Sequence, residues 1–422
     1  MSIVVKNGRV IDPASETSAK LDVLIEGDRI GRIAENLQGE ETIDATGCVV
    51  CPGFVDIHVH FREPGFESKE NIATGSRAAA HGGFTSVVTM PNTNPPIDNG
   101  GMVELHNRSA RETACIKVWP AAAATKGREG AEMTEMADLK SAGAVAITDD
   151  GSDIPSSWVM RRVLEYANMV GLTYLSHAED HTLMEDGAMN EGFNSTRLGL
   201  PGMPKAMEEI AIDRVIRLAE LAGARVHICH VSSEGGVDIV RRAKGRGLPV
   251  TCETAPHYWT LTDDAIERFG PNAKMNPPLR EFGDVQAIKA GLADGTIDCI
   301  ATDHAPHTVT EKNVEFQLAP FGIIGLETSL ALGITGLVKQ GVVTLERLVD
   351  LMTRRPARIL GLPAGELREE GPADIAVFDP AAEWTVEPDA FASKGRNTPF
   401  AGMHLRGLVK TTICDGVIVY QA

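Results

Sequence analysis

Val55-Asp56-Ile57-His58-Val59-His60 places two imidazoles two positions apart in a run that reads as extended chain. In such a chain, residues i and i+2 face the same side, so both rings come within reach of one ion. Arg62 stands two positions further on and shares that side, where a guanidinium can fork onto a carboxylate. Arg225-Val226-His227-Ile228-Cys229-His230 offers two more imidazoles, three apart and therefore on opposite faces. His230, at the end of its run, is the expected ligand; His227 is expected outside, under helices. His177 closes the apolar run 172–177, Asp149 and Asp150 follow 144–148, and Asp303 leaves 297–302. Imidazole nitrogen mixed with carboxylate oxygen suits a divalent cation such as Zn²⁺. A carboxylate facing such an ion can bind it and still exchange a proton with a nucleophilic water, a dual role that fits hydrolysis. Asp303 is the candidate, because Pro306 just beyond it opposes the alternative reading as a helix cap.

These residues need a scaffold, and the chain supplies a regular one. Eight apolar β-type runs, at 54–58, 84–90, 116–121, 144–148, 172–177, 225–230, 249–253 and 297–302, alternate with amphipathic stretches. Helices are expected at 72–81, 156–169, 208–222, 237–244 and 285–292. Eight βα units in this order predict an α/β fold of the (β/α)8 TIM-barrel type, whose active sites lie where strands end. His58, His60, Asn92, Asp149, Asp150, His177, His230 and Asp303 all sit at such ends. Residues 1–52 and 362–422 have a different texture of short β segments and tight turns, including Asn7-Gly8 and Asp415-Gly416. They are expected to form one small β-sandwich domain from both termini, with the barrel at 53–361.

Length and charge narrow the function classes. The 422 residues carry 40 Lys+Arg against 58 Asp+Glu, a formal charge of −18 that repels nucleic acid and anionic membrane. An anionic small-molecule substrate therefore needs a local positive site. No apolar run approaches the roughly 20 residues of a membrane span, and the opening MSIVVKNGRVID has no basic leader, so a cytoplasmic location is expected. The seven scattered Cys read as reduced thiols, the Cys48-x-x-Cys51 pair included. His81, His106, His181 and His404 fall in helical, loop or terminal segments and are read as structural; His257 is left open as a neighbour of the active face.

Longer motifs then carry a resemblance: Pro52-Gly53-Phe54-Val55-Asp56-Ile57-His58-Val59-His60-Phe61-Arg62-Glu63-Pro64-Gly65, Met90-Pro91-Asn92-Thr93, Thr148-Asp149-Asp150-Gly151, Ser176-His177-Ala178-Glu179, His230-Val231-Ser232, Met275-Asn276-Pro277-Pro278-Leu279-Arg280 and Ala301-Thr302-Asp303-His304-Ala305-Pro306-His307. Over essentially its whole length the chain resembles the amidohydrolase superfamily and, within it, the dihydroorotase family. Hydantoinases and allantoinases in that superfamily usually bridge two metals with a carboxylated lysine after the fourth strand, yet 144–151 contains no lysine. The likeness to long-chain bacterial dihydroorotases implies Asp150 in that place, with Asp149 the competitor disfavoured by strand parity.

The resemblance implies Zn²⁺ as cofactor: one ion on His58, His60 and Asp303, a second on His177 and His230, and Asp150 shared, a single ion being the variant. It implies reversible cyclisation of N-carbamoyl-L-aspartate to L-dihydroorotate in de novo pyrimidine biosynthesis, by metal-activated hydroxide with Asp303 as general acid and base. Arg62, Asn92 and His307 would take the ring carboxylate, Asn276 the pyrimidine ring, and Pro320-Phe321-Gly322 would touch it through backbone. A homodimer able to dock an aspartate carbamoyltransferase is the implied assembly. The rivals are another cyclic amidohydrolase, which Arg62 and the missing lysine oppose, and a catalytically dead scaffold for the carbamoyltransferase, which the intact ligand set opposes. One further expectation concerns 180–205, Gly- and Pro-rich with little helical periodicity: a long loop over the site, mobile until ligand or partner binds.

Overall fold

A computed structural model describes residues 2–422. The apolar runs become parallel strands β1 (Phe54–Val59), β2 (Phe84–Thr89), β3 (Lys117–Ala122), β4 (Ala146–Ile147), β5 (Thr173–Ser176), β6 (Val226–Ile228), β7 (Val250–Thr254) and β8 (Cys299–Ile300), neighbours in sequence order within one sheet. Parallel neighbours need crossovers, and helices Ile72–His81, Gly100–Thr113, Met136–Ser141, Ser157–Val170, Lys205–Ala222, Glu234–Gly245 and Phe282–Asp294 supply them in turn. The result is a (β/α)8 barrel. Strand alternation sorts the side chains: Val55, Ile57, Val88, Ala121, Ala146, Leu175 and Cys299 fill the interior. Phe54, Phe84, Val118, Tyr174, Val226 and Ile228 pack outward against the helices.

The seam between first and last strands closes at the rim. Val59 bridges His304, and His60 N donates to His304 O at 2.9 Å. Below that point the Asp56 carboxylate stands in for a ladder. It accepts from Thr302 N at 3.1 Å, from Thr302 Oγ1 at 2.6 Å and from His58 N at 3.0 Å. Burial raises its pKa to about 7 against the pull of those hydrogen bonds.

The two chain ends meet in a β-sandwich. Strands Arg29–Ala34, Asp22–Glu26, Ser2–Lys6 and Glu41–Asp44 form one sheet; Val417–Gln421, His404–Cys414, Ile375–Thr385, Val49–Pro52, Arg9–Asp12 and Thr17–Lys20 form the other. Val5, Val23 and Ile25 from the first meet Val10, Val50, Ile375 and Ile413 from the second. Thr17–Lys20 and Glu41–Asp44 escape the sequence reading because they are short, polar edge strands with no apolar alternation to betray them. Val49–Pro52 runs straight into β1 across Gly53, where a Cβ would lie 2.1 Å from Thr85 Oγ1. The sandwich is thereby tied to the barrel, and Phe378 packs 6.1 Å from Phe54 across the join.

Two sequence expectations need correction. His227 lies inside the barrel with its outward-facing neighbours Val226 and Ile228 on either side. Parity failed because β6 ends at Ile228 and His230 has turned into the left-handed region at φ 35°, which brings both rings inward at different heights. The segment 180–205 contains a helix, Phe193–Leu198, and a parallel pair, Met189–Asn190 with Gly202–Met203. This secondary structure comes from long-range contacts that local periodicity does not report. Arg280 donates to Asn190 Oδ1 and Met203 O at 3.1 Å each, to Ser232 Oγ at 3.1 Å and to Glu208 Oε2 at 3.3 Å. Arg280 and Glu208 are each only 2% exposed. Among the described residues no helix is long and apolar enough to cross a membrane.

Removing one partner of a buried ion pair leaves the other uncompensated and costs about 3–5 kcal/mol. Arg280→Ala is therefore expected to lower the denaturation midpoint and to speed tryptic cleavage at Arg197 and Lys205. Native resistance on both measures would show that the pair does not anchor this segment.

Candidate active site

Three histidines at the barrel rim are each held in one orientation by the group behind the ring. His58 Nδ1 lies 2.7 Å from Glu253 Oε1, His60 Nδ1 2.9 Å from Asn92 Oδ1, and His177 Nε2 2.7 Å from Glu179 Oε2. Those oxygens only accept, so the facing nitrogen carries the hydrogen and the far nitrogen of the neutral ring presents a lone pair. The lone pairs converge. His58 Nε2 is 3.1 Å from Asp150 Oδ1; His60 Nε2 is 3.0 Å from Asp303 Oδ1 and 3.6 Å from Asp150 Oδ2; His177 Nδ1 is 3.5 Å from Asp150 Oδ1. His230 Nε2 joins them, 2.9 Å from His177 Nδ1 and 3.9 Å from Asp150 Oδ1.

All six residues are at most 5% exposed. His58 Nε2 and Asp150 Oδ1 are fully buried and have no hydrogen-bond partner. An unsatisfied buried polar atom costs about 1–3 kcal/mol, and a divalent cation between these acceptors would remove that cost. The donor atoms of His58, His60 and Asp150, of Asp150, His177 and His230, and of His58, His230 and Asp303 each lie within 4.8 Å of one another. Burial works against the charged forms, but the Asp150 and Asp303 carboxylates raise His58 well above the ordinary imidazole range and Asp150 is held well below the carboxylate range, so a proton and a divalent cation compete for the same inward lone pair. Behind His58, burial would raise Glu253, yet hydrogen bonds from His227 and His58 bring it down to about 2. Asp149 takes no part in the cluster. Its Oδ1 accepts from Ala124 N at 2.9 Å and Thr125 N at 3.0 Å, tying β4 to the end of β3.

Backbone strain aims several of these groups. Arg62, His230 and Asp303 have φ of 61°, 35° and 47°, a conformation costing on the order of 1–3 kcal/mol in a residue other than Gly. It takes each side chain off strand alternation and over the barrel mouth.

A cavity of about 180 Å³ lies there, and its wall includes Arg62, Asn92, Asn276, His307, Phe321 and Gly322 together with the clustered residues other than His58. Arg62 makes no ion pair with a carboxylate among the described residues; its Nε donates to Pro306 O at 3.3 Å and its Nη2 is 3.4 Å from His307 Nε2. Burial lowers its pKa to about 10, which leaves it cationic at neutral pH. Asn92 spends its carbonyl on His60, so its Nδ2 is the atom free to donate. His307 donates from Nε2 to Phe321 O at 2.8 Å, and burial with the nearby Arg62 lowers its pKa to about 2, so it is neutral.

Gly322 has φ 149°, and a Cβ there would sit 2.5 Å from Ala305 O. Pro320 precedes this wall, its carbonyl accepting from the buried Lys312 ammonium at 2.8 Å; Lys312 also donates to Pro271 O at 2.9 Å. One buried cation thus joins the Phe321 loop to the segment leading to Asn276.

Comparison with known proteins bears on this arrangement. The dihydro-orotase-like family profile matches residues 47–235. A dihydroorotase of Citrifermentans bemidjiense is 52% identical over 425 aligned residues, covering 100% of both chains. That of Pelotomaculum thermopropionicum is 50% identical, covering 100% of this chain and 99% of its own. The chain belongs to the dihydroorotase family. Among solved structures, an L-hydantoinase (dihydropyrimidinase) from Arthrobacter aurescens superposes on this family member with a TM-score of 0.90 at 27% identity, covering 99% of this chain and 96% of that one. A D-hydantoinase (dihydropyrimidinase) from Thermus sp. gives 0.84 at 26% identity, covering 100% and 96%. The dihydroorotase family and these neighbours share a cyclic-amidohydrolase scaffold, so what separates them lies in individual side chains.

The other histidines of this family member scatter as their segments suggest. His106 bonds Thr89 Oγ1 at 2.8 Å, His404 bonds Thr385 Oγ1 at 2.9 Å, and His81 stacks on Tyr420. His181 accepts from Asp153 N at 3.1 Å. His257 is buried with Nε2 unpartnered, and burial lowers it to about 4. Sequence reasoning missed Glu253 and Glu179 as the groups that orient His58 and His177. A signal existed for both: Glu253 is a lone carboxylate near the end of an apolar strand, and Glu179 stands two past His177. Loss of a ligand shared by several histidines is expected to deplete bound metal in Asp150→Ala, read by elemental analysis, while Asp149→Ala keeps native content. Full metal content in Asp150→Ala would move the shared position elsewhere.

Proposed function

We propose that this protein is a zinc-dependent dihydroorotase, interconverting N-carbamoyl-L-aspartate and L-dihydroorotate in de novo pyrimidine biosynthesis. The observation that carries the reading is the unpaired Arg62 guanidinium facing a cavity floored by converging imidazoles and carboxylates. In a chain of formal charge −18, a half-buried cation with no ion-pair partner is a site for a substrate anion. The full-length relatives named dihydroorotase support the same substrate. His58, His60 and Asp303 would hold one ion, His177 and His230 a second, and Asp150 both. On this reading Asp150 does the work of the carboxylated lysine used elsewhere in the superfamily, and the cluster contains no lysine.

Divalent ions held by this set supply Lewis acidity and lower the pKa of a water molecule to near 7. The chain's own residues do the rest. Arg62 and the free Nδ2 of Asn92 hold the ring carboxylate, which fixes the ring amide over the cluster. Asp303, kept below the usual carboxylate range as the attraction of His58 and His60 overcomes burial, accepts the proton that water loses on attacking the amide carbon. As the C–N bond breaks, the same carboxyl returns that proton to the departing ring nitrogen. Ring closure is the reverse. Hydantoinase activity is the second reading, favoured by the structural neighbours. Hydantoin brings no carboxylate to Arg62, so assays of the purified protein on dihydroorotate, hydantoin and allantoin, with elemental analysis, decide between them.

Two outcomes are expected of variants. Asp303→Asn should lower kcat by at least ~100-fold with the fold intact, since a general acid and base supplies about 10²–10⁴; near-native turnover would remove that role. Arg62→Met should lose roughly 1.5–3 kcal/mol on dihydroorotate, or about 10- to 150-fold in kcat/KM, at constant metal content. Equal losses on hydantoin and dihydroorotate would make Arg62 a structural residue.

A further inference from the structure

Glu179 is 2% exposed and follows His177 by two residues, just beyond β5. Its Oε2 accepts two hydrogen bonds, from His177 Nε2 at 2.7 Å and from Asn276 Nδ2 at 2.9 Å. A carboxylate has no hydrogen to give, so Asn276 must meet it with the amide nitrogen. Rotating the amide by half a turn would set oxygen against oxygen at hydrogen-bond distance. The remaining amide atom, Asn276 Oδ1, is buried and has no partner, on a side chain that forms part of the cavity wall. Glu179 Oε1 is also buried and without a hydrogen bond, with His181 Nδ1 4.0 Å away.

We propose that Glu179 is a positioning residue that fixes the Asn276 amide with its oxygen toward the substrate, so that the site selects a ring N–H. A ring with an acceptor at that place would face Asn276 Oδ1 lone pair to lone pair, which excludes it. The inference rests on the reading of Asn276 as a ring contact.

The test uses the full chain with its metal. Glu179→Leu removes the acceptor and frees the amide to turn; Glu179→Gln keeps an oxygen where Oε2 lies. With metal supplied to saturation, because Glu179 also orients His177, the expected result is a KM for dihydroorotate raised at least ~10-fold in Glu179→Leu, more than kcat falls, and recovery to within about threefold in Glu179→Gln. Dissociation constants for dihydroorotate on the metal-depleted proteins, by calorimetry, are expected in the same order. Asn276→Asp, which sets carboxylate against carboxylate without changing shape, should raise KM as Glu179→Leu does and covers the case in which the leucine variant fails to fold. Native KM in Glu179→Leu or Asn276→Asp overturns the proposal, as does equal impairment in the leucine and glutamine variants. A dissociation constant for dihydroorotate on metal-depleted Glu179→Leu equal to that of the wild type also overturns it, by placing the effect on His177 and the metal. A wild-type protein without activity on dihydroorotate would instead refute the substrate reading.

Discussion

A cluster of hydrogen-bond acceptors without matching donors, almost wholly buried at the floor of a cavity, is the constraint on which the rest of this structure depends. Asp150 lies within 4 Å of ring nitrogens from His58, His60, His177 and His230, and each histidine whose far side is engaged turns a lone pair inward. Such an arrangement is unfavourable until a cation occupies it, so it persists only where the scaffold over-determines every side chain. The groups behind the rings provide that: Glu253 behind His58, Asn92 behind His60, Glu179 behind His177. A barrel suits the task because neighbouring strand ends are fixed relative to one another by ladders whose register cannot slip without inverting the interior.

The seam of the barrel and the floor of the site are built from the same residues. Asp56, His58, His60, Thr302 and Asp303 lie within a few residues of the point where β1 meets β8, and the bridge between Val59 and His304 closes the cylinder at the height of the ligands. Closure and ligand geometry are therefore one event. Asp56 satisfies backbone groups that a regular ladder would have paired, which lets the chain bulge between Asp56 and Val59 and present its imidazoles upward.

The second constraint is electrostatic discrimination on a shared fold. A TM-score of 0.90 at 27% identity to a hydantoinase means that backbone shape alone does not separate the two chemistries. This cavity carries a guanidinium with no carboxylate partner among the described residues, held by a strained backbone and flanked by a neutral His307. The wall opposite is stiffened by buried ammonium groups, Lys312 on three backbone carbonyls and Lys274 over the Phe321 ring at 4.5 Å. Loops that would otherwise move are tied to each other by charge that has nowhere else to go.

The eight strands, their helices and the residues at their ends are legible in the sequence because apolar periodicity is local and repeats eight times. The strand from 84 and the helix 72–81 lie where periodicity puts them. The types and order of His58, His60, the Asp149-Asp150 pair, His177, His230 and Asp303 are likewise readable, since metal-binding chemistry limits which side chains can serve. Tertiary structure decided what depends on groups far apart in the chain. The inward turn of His227, the order within 180–205 and the choice between Asp149 and Asp150 for the cluster rest on contacts spanning tens of residues. So does the pairing of Glu253 with His58, 195 residues apart. Parity and periodicity are properties of one strand or helix, whereas the direction of a buried hydrogen bond is set by whichever acceptor the fold brings to it.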